Sequence, residues 1–202
     1  APYRASRDPA LPSGMNARSP PAVASSLRSR LSAARNRALD WLLPPLCLAC
    51  RNPVGDHHAL CPHCWGGVAF ITAPVCDRLG APLPYDIGPG AVSPEAIANP
   101  PAFDRARAAF RFDAVGRSLI HGLKYGDRLE LAPALARWMA RAGHDVLDGA
   151  DALVPVPLHW TRLFRRRFNQ SAELARHLSA RTGIATEPML LKRVRRTAHQ
   201  VG

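Results

Sequence analysis

The chain has 202 residues, 47% of them apolar, and a formal net charge of +12 at neutral pH. That is enough apolar sequence for one globular domain with a small added module. No apolar run approaches the roughly 18 residues of a membrane-spanning helix; the longest, around Leu42–Leu46 and Leu153–Leu158, are far shorter.

The charge is uneven. Residues 1–40 carry a net +5, residues 41–158 a net −1 and residues 159–202 a net +8. Such a basic C-terminal stretch attracts polyanions or phosphorylated ligands. The alternative is codon bias, since the chain has 25 arginines but only two lysines, Lys124 and Lys192.

Residues 1–25 are rich in Pro, Ser, Ala and Arg without periodicity and are expected to be disordered. Over residues 26–45, Leu27, Leu31, Ala34, Ala38 and Leu42 form a helical stripe, stopped by Pro44 and Pro45. This basic amphipathic helix is expected to pack on the following module, with membrane-surface binding as the alternative.

Cys47-Leu-Ala-Cys50 is followed after ten residues by Cys61-Pro-His-Cys64. Two CxxC pairs at this spacing place four thiolates around one tetrahedral Zn²⁺, and such a zinc is structural because protein fills every position. Two disulfides are the alternative. The N-terminal residues lack the apolar stretch of a secretory signal, so the expected setting is a reducing cytoplasm, which favours zinc. His57, His58 and His63 are expected to be exposed loop residues, although one could replace a thiolate. The module extends over residues 46–100, and its Pro/Gly-rich end, residues 81–101, promises little regular structure. Cys76 stands alone in what has the shape of a third knuckle without a partner.

A regular pattern begins after Phe103. Ala106–Phe112 reads as a strand, and Gly116–Lys124 as a helix with Leu119, Ile120 and Leu123 inward. Leu129–Ala142 reads as a helix with Leu131, Leu135, Trp138 and Met139 on one side. Ala152–Leu158 reads as a buried parallel strand, Trp160–Phe168 as a loop, and Asn169–Arg181 as a helix closed by Thr182-Gly183. Strands alternating with helices argue for an α/β sheet, incomplete because two or three strands cannot bury both faces.

Two segments carry chemistry. Val154-Pro-Val-Pro157 leads into Arg165-Arg166-Arg167-Phe168-Asn169-Gln170. A loop leaving the carboxyl end of a strand and entering a helix N-terminus is where open α/β sheets bind ligands, and guanidinium groups there are bidentate phosphate donors. Asn169 and Gln170 could cap the helix or bond a sugar; the alternative is a solvated basic loop. Lys124, in Leu123-Lys124-Tyr125-Gly126-Asp127, is either a ligand for an anion or simply favourable at a helix C-terminus. No enzyme nucleophile, phosphate-cradling glycine loop or catalytic metal motif is evident.

Together these segments resemble the ComF family of late-competence proteins related to type I phosphoribosyltransferases. The resemblance spans about Leu39 to Gly202 and rests on Leu42-Leu-Pro-Pro-Leu-Cys47 with the two knuckles, Leu123–Asp127, and Val154–Pro157 with Arg166–Gln170. It implies an α/β fold: an incomplete type I phosphoribosyltransferase-like parallel sheet over residues 101–202, preceded by a zinc ribbon with Cys47, Cys50, Cys61 and Cys64 as ligands. Related proteins carry a second zinc ribbon; here Leu79, Ser93 and Ala96 stand where the partners of Cys76 belong, so that half is expected to hold apolar packing or disorder. The stretch from Leu191 to Gln200 resembles the family's mobile basic loop.

The resemblance further implies handling of single-stranded DNA in natural transformation, alongside other competence proteins. Lys124, Arg165, Arg166, Arg167, Asn169 and Gln170 would meet phosphates, and Trp160, Phe164 or Phe168 would stack on bases. The alternative is phosphoribosyl transfer to an unknown acceptor, using phosphoribosyl pyrophosphate with Mg²⁺. The acidic pair and Thr/Gly loop for that chemistry are expected beyond Gly202. On this reading the chain is a C-terminally truncated piece, inactive as an enzyme; an inactive fragment without function is the remaining reading.

Overall fold

The computed structural model describes residues 44–195. The expected disorder of residues 1–25, the amphipathic helix of residues 26–45 up to Leu43, and the basic loop from residue 196 onward lie outside the described residues.

Two short helices belong to the cysteine module: α1 (Pro62–Gly66) and α2 (Pro94–Ala98). Helix α3 (Ala114–Tyr125) leads through a 3₁₀ turn (Leu129–Leu131) into α4 (Ala132–Ala142) and α5 (His144–Leu147). Strand β1 (Ala152–Leu153), α6 (Trp160–Arg166), α7 (Gln170–Thr182) and β2 (Ala185–Thr186) follow. The strands pair in parallel, Ala152 opposite Ala185 and Leu153 opposite Thr186. The fold is thus a cysteine module joined to a mixed helical unit with a small two-stranded parallel sheet.

Module and helices share one core. Leu48, from the first knuckle, is buried with Leu119 and Leu123 of α3, Leu131, and Leu135 and Trp138 of α4. An aromatic stack extends this core: Phe70 meets Trp138 edge-on at 5.3 Å, and Phe110 meets Trp138 at 5.9 Å. Gly116 is required at the start of α3, because a Cβ there would lie 2.5 Å from the Arg111 carbonyl oxygen and 2.8 Å from the Phe110 ring.

Several elements differ from the sequence reading. Residues 106–112 are not a strand; they contribute a single antiparallel bridge, Phe110 with Phe70, flanked by the Ile71 N–H on the Ala109 carbonyl and the Arg111 N–H on the Ala69 carbonyl. Ring contacts of the half-buried Phe110 with Phe70 and Trp138, and bonds from Arg107 to Asp77 and Asp145, hold this segment in place of a backbone ladder. The strand expected over Ala152–Leu158 ends at Leu153, because Pro155 and Pro157 have no N–H for a ladder.

The expected loop Trp160–Phe168 contains α6. His159 caps that helix by accepting the Thr161 N–H, and Arg167, with φ of 63°, ends it in the left-handed region. The Pro/Gly-rich end of the module also contains a helix, α2, whose start has the usual chemistry of a Ser cap followed by Pro. Met139 is exposed rather than inward. Helix α4 instead buries Ala134 and Ala136 together with Leu135 and Trp138, because α7 packs against it.

Candidate metal centre and basic loop

The first knuckle is built by backbone geometry. The Cys47 N–H reaches the Asn52 carbonyl at 2.7 Å, the Arg51 N–H the Cys47 carbonyl at 3.1 Å, and the Val54 N–H the Pro45 carbonyl at 2.9 Å. Arg51 closes the turn at φ 67°. The second knuckle opens α1, where the Cys61 sulfur accepts the Cys64 N–H. The turn places Cys47 and Cys50, and the helix Cys61 and Cys64, around one centre. All four sulfurs lie within 4.8 Å of one another, and those of Cys50 and Cys61 are 3.7 Å apart. Zn–S bonds of about 2.3 Å in a tetrahedron give sulfur separations of about 3.8 Å, so the four cysteines are positioned to bind a zinc ion.

The electrostatics fit the same group. Burial opposes ionisation of Cys47, but N–H groups of Cys61, Cys50 and Ala49 outweigh it and hold the thiol at about 6. Cys64 is pushed up to about 12 by burial and by the neighbouring sulfurs. Four thiolates this close repel one another unless a divalent cation offsets their charge. His57, His58 and His63 are exposed and outside the sulfur cluster; the His58 Nδ1 lies 2.9 Å from the Glu130 carbonyl oxygen.

The same frame occurs a second time. The Cys76 N–H reaches the Ala81 carbonyl at 2.8 Å, the Gly80 N–H the Cys76 carbonyl at 2.8 Å, and the Leu83 N–H the Pro74 carbonyl at 2.9 Å. Gly80 takes the place of Arg51 at φ 65°. Glycine is required there, since a Cβ would lie 2.4 Å from the Ala106 carbonyl oxygen. Ser93 replaces Cys61, its Oγ accepting the Ala96 N–H at 3.3 Å and capping α2. At the centre the fully buried Cys76 sulfur accepts N–H groups from Ser93 at 3.2 Å and Leu79 at 3.5 Å. Burial opposes its charge, but these hydrogen bonds prevail and lower the thiol to about 7. This half is neither disordered nor closed by apolar packing alone; hydrogen bonds to one sulfur close it.

The basic segment gathers around Gln170, which is 6% exposed. Its Nε2 donates to the Lys124 carbonyl at 3.3 Å, and its Oε1 accepts from Arg166 Nη1 at 3.4 Å. Arg166 also lies over the Tyr125 ring, 5.1 Å from its centre. Asn169 Oδ1 caps α7 by accepting the Ser171 N–H at 3.0 Å, while its Nδ2 donates to the Val156 carbonyl at 3.1 Å. The structure therefore brings Arg166, Asn169, Gln170 and the main chain of Lys124 together, with Arg167 exposed at the turn. Arg165 lies within α6, and its side chain is outside the described ones. The Lys124 side chain is exposed and has no ion pair among the described residues. Trp160 and Phe164, on α6, are 72% and 86% exposed.

The model of the double zinc ribbon domain matches residues 38–96, spanning both knuckle frames. The DNA utilization protein YhgH of Salmonella typhimurium is 33% identical over 165 residues, which cover 78% of this chain and 70% of that protein. The YhgH of Escherichia coli (strain K12) is 30% identical over the same length. The chain belongs to the YhgH family. No solved structure gives a significant match. Within this family member, the first ribbon half keeps its four cysteines and the second keeps one. Sequence reading singled out the four cysteines that the structure gathers into one cluster and the knuckle shape around Cys76. It missed the bonds from Arg107 to Asp77 and Asp145, which lie 30 and 38 residues away and leave no local pattern.

Proposed function

We propose that this chain handles single-stranded DNA during uptake, using its basic loop for the phosphates and its zinc ribbon as scaffold. The observation that carries this reading is the tie of the basic segment to α3, in which buried Gln170 bonds the Arg166 guanidinium and the Lys124 main-chain carbonyl, while the Lys124 and Arg167 side chains and the α6 rings of Trp160 and Phe164 are exposed. Cations that track a backbone next to aromatic faces are the general recipe for binding single strands without sequence preference. In this reading Lys124 and Arg165–Arg167 meet phosphates, whereas Asn169 and Gln170 hold the loop against Val156 and Lys124. The names of its relatives as DNA utilization proteins support the same direction. A reducing cytoplasm and other competence proteins are the matching setting and partners.

The test is the affinity of the zinc-loaded chain for labelled oligo(dT) as a function of salt. Each phosphate neutralised adds about −0.7 to the slope of log affinity against log salt. The Lys124→Ala, Arg166→Ala and Arg167→Ala triple variant should flatten that slope. An affinity indifferent to salt overturns the reading.

One observation favours a second reading, phosphoribosyl transfer. The segment leaves the carboxyl end of the parallel strand β1 and runs into the N-terminus of α7, the usual ligand position of an open α/β sheet. Lys124 and the arginines would then hold the pyrophosphate of phosphoribosyl pyrophosphate with Mg²⁺, within a phosphoribosyltransferase-like fold. Binding of phosphoribosyl pyrophosphate, measured calorimetrically with and without Mg²⁺, tests it; no heat under either condition rejects it.

A further inference from the structure

Between the second ribbon half and α4 lies a cavity of about 610 Å³, a volume suited to enclosing a small molecule. Its walls include Trp65, Phe70 and Trp138. Trp65 packs on Phe70 at 4.9 Å and on Trp138 at 6.1 Å, yet remains 48% exposed. A flat aromatic surface is therefore held in place and left partly open.

Polar groups define one side. Arg107 donates from Nε to Asp145 at 3.2 Å, and from Nη1 to the carbonyls of Asp77 at 2.7 Å and Ala106 at 2.8 Å. Its Nη2 donates to Asp77 Oδ1 at 3.1 Å and to Asp145 Oδ2. All five of its N–H donors are thus taken, and Arg107 has none left for an anion. What the cavity still offers is acceptor capacity on Asp145, fixed in orientation by Arg107. Burial opposes that carboxylate, but the Arg107 hydrogen bonds and charge hold its pKa below the usual value, so it is an acceptor at neutral pH. At the rim, Arg141 is exposed and has no ion pair among the described residues.

An aromatic face, a carboxylate acceptor and a guanidinium around one cavity match the base plane, the exocyclic amine of the base and the phosphate of a nucleotide. We propose that this cavity binds a nucleotide whose base carries an exocyclic amine: the base stacks on Trp65, the amine donates to Asp145, and Arg141 meets the phosphate. A free nucleotide and an unstacked base of a single strand offer the same chemistry. Only the second source rests on the single-strand reading above.

Calorimetric titration of the zinc-loaded chain with dAMP, dCMP and dTMP tests the cavity. The expected result is saturable binding of dAMP and dCMP, with dTMP weaker by on the order of tenfold, the worth of one charge-assisted hydrogen bond. Thr72→Phe, at an exposed lining position, should abolish binding without moving the thermal midpoint. Arg141→Glu should weaken dAMP severalfold and leave deoxyadenosine unchanged. Absence of binding, equal binding of dAMP and dTMP, or a Thr72→Phe variant that binds like the parent each overturns the proposal.

Oligo(dA) and oligo(dT) identify the source. Preference for oligo(dA), lost in Thr72→Phe, makes a strand the source and supports both readings. Nucleotide binding without any oligonucleotide binding keeps the cavity and rejects the single-strand reading. Salt-dependent binding of both oligomers, unaffected by Thr72→Phe and without binding of dAMP, rejects the cavity alone.

Discussion

The first ribbon half, from Leu46 to Cys64, and the second, from Val75 to Ala96, follow the same backbone course with different chemistry at the centre. Each has one antiparallel bridge, Leu46 with Pro53 and Val75 with Pro82. Each has a turn closed at positive φ, by Arg51 and by Gly80, and each ends in a short helix capped by the residue before it, Cys61 and Ser93. In the first, four sulfurs converge and fit a zinc ion. In the second, one buried sulfur collects N–H groups from Leu79 and Ser93. The knuckle backbone is therefore separable from its metal: a hydrogen-bonded sulfur can occupy the centre.

The halves are also anchored differently. The first inserts Leu48 into the helical core and receives the Arg128 Nη2 donor on the Leu48 carbonyl at 2.8 Å. The second is tied to α5 by the Arg107 guanidinium, which spans Asp77 and Asp145. Apolar contact is insensitive to charge, whereas the Arg107 link depends on two ionised carboxylates.

The largest effect that would separate the halves is metal removal. Stripping zinc with a strong chelator should cost the first half stabilisation on the order of 10 kcal/mol. Hydrogen exchange should then open the amides of Cys47 and Arg51 while those of Gly80 and Ser93 stay protected; simultaneous opening of both sets would show that the halves are not independent. Because Cys64 must lose a proton that it otherwise holds to about 12, zinc affinity should fall as pH falls.

Next, the combined Leu79→Cys, Ser93→Cys and Ala96→Cys variant should raise the zinc content measured by native mass spectrometry from one ion to two. It should stabilise the chain by about 4 kcal/mol at free zinc a thousandfold above its Kd. Unchanged stoichiometry would mean that the second frame has drifted too far to hold a metal.

Arg107→Leu leaves the partly buried Asp145 carboxylate without its cation and Asp77 with Arg105 alone, and should cost about 3 kcal/mol in urea unfolding, with exchange rising first around Asp145. The smallest effect concerns Cys76. A depressed folded pKa contributes stability that is complete above the unfolded value and lost as pH falls through the folded one. With Cys76 at about 7 against 9.0, stability should climb between those two pH values by about 2 kcal/mol. In Cys76→Ala that climb should vanish; a climb that persists would assign it to another group.

Local chemistry was enough to read several features from the chain. The CxxC spacing specifies a metal-binding knuckle because ligand geometry is set by a few adjacent residues. Asn169 and Gly183 bound α7 as expected, since capping depends on one side chain or one left-handed residue. The residues around Cys76 likewise had the shape of a further knuckle, while the places of its missing partners, Leu79, Ser93 and Ala96, came from the family resemblance. Long-range partners decided the rest. Phe110 is drawn into the Trp138 cluster, so its segment forms one bridge instead of a strand. Ala185 and Thr186 become β2 only because Ala152 and Leu153 lie beside them. Gln170 joins Lys124 across 46 residues, and Arg107 joins Asp77 and Asp145 across 30 and 38. Such contacts follow from how burial brings distant segments together, so neither the cavity nor its acceptor could be read from residue order.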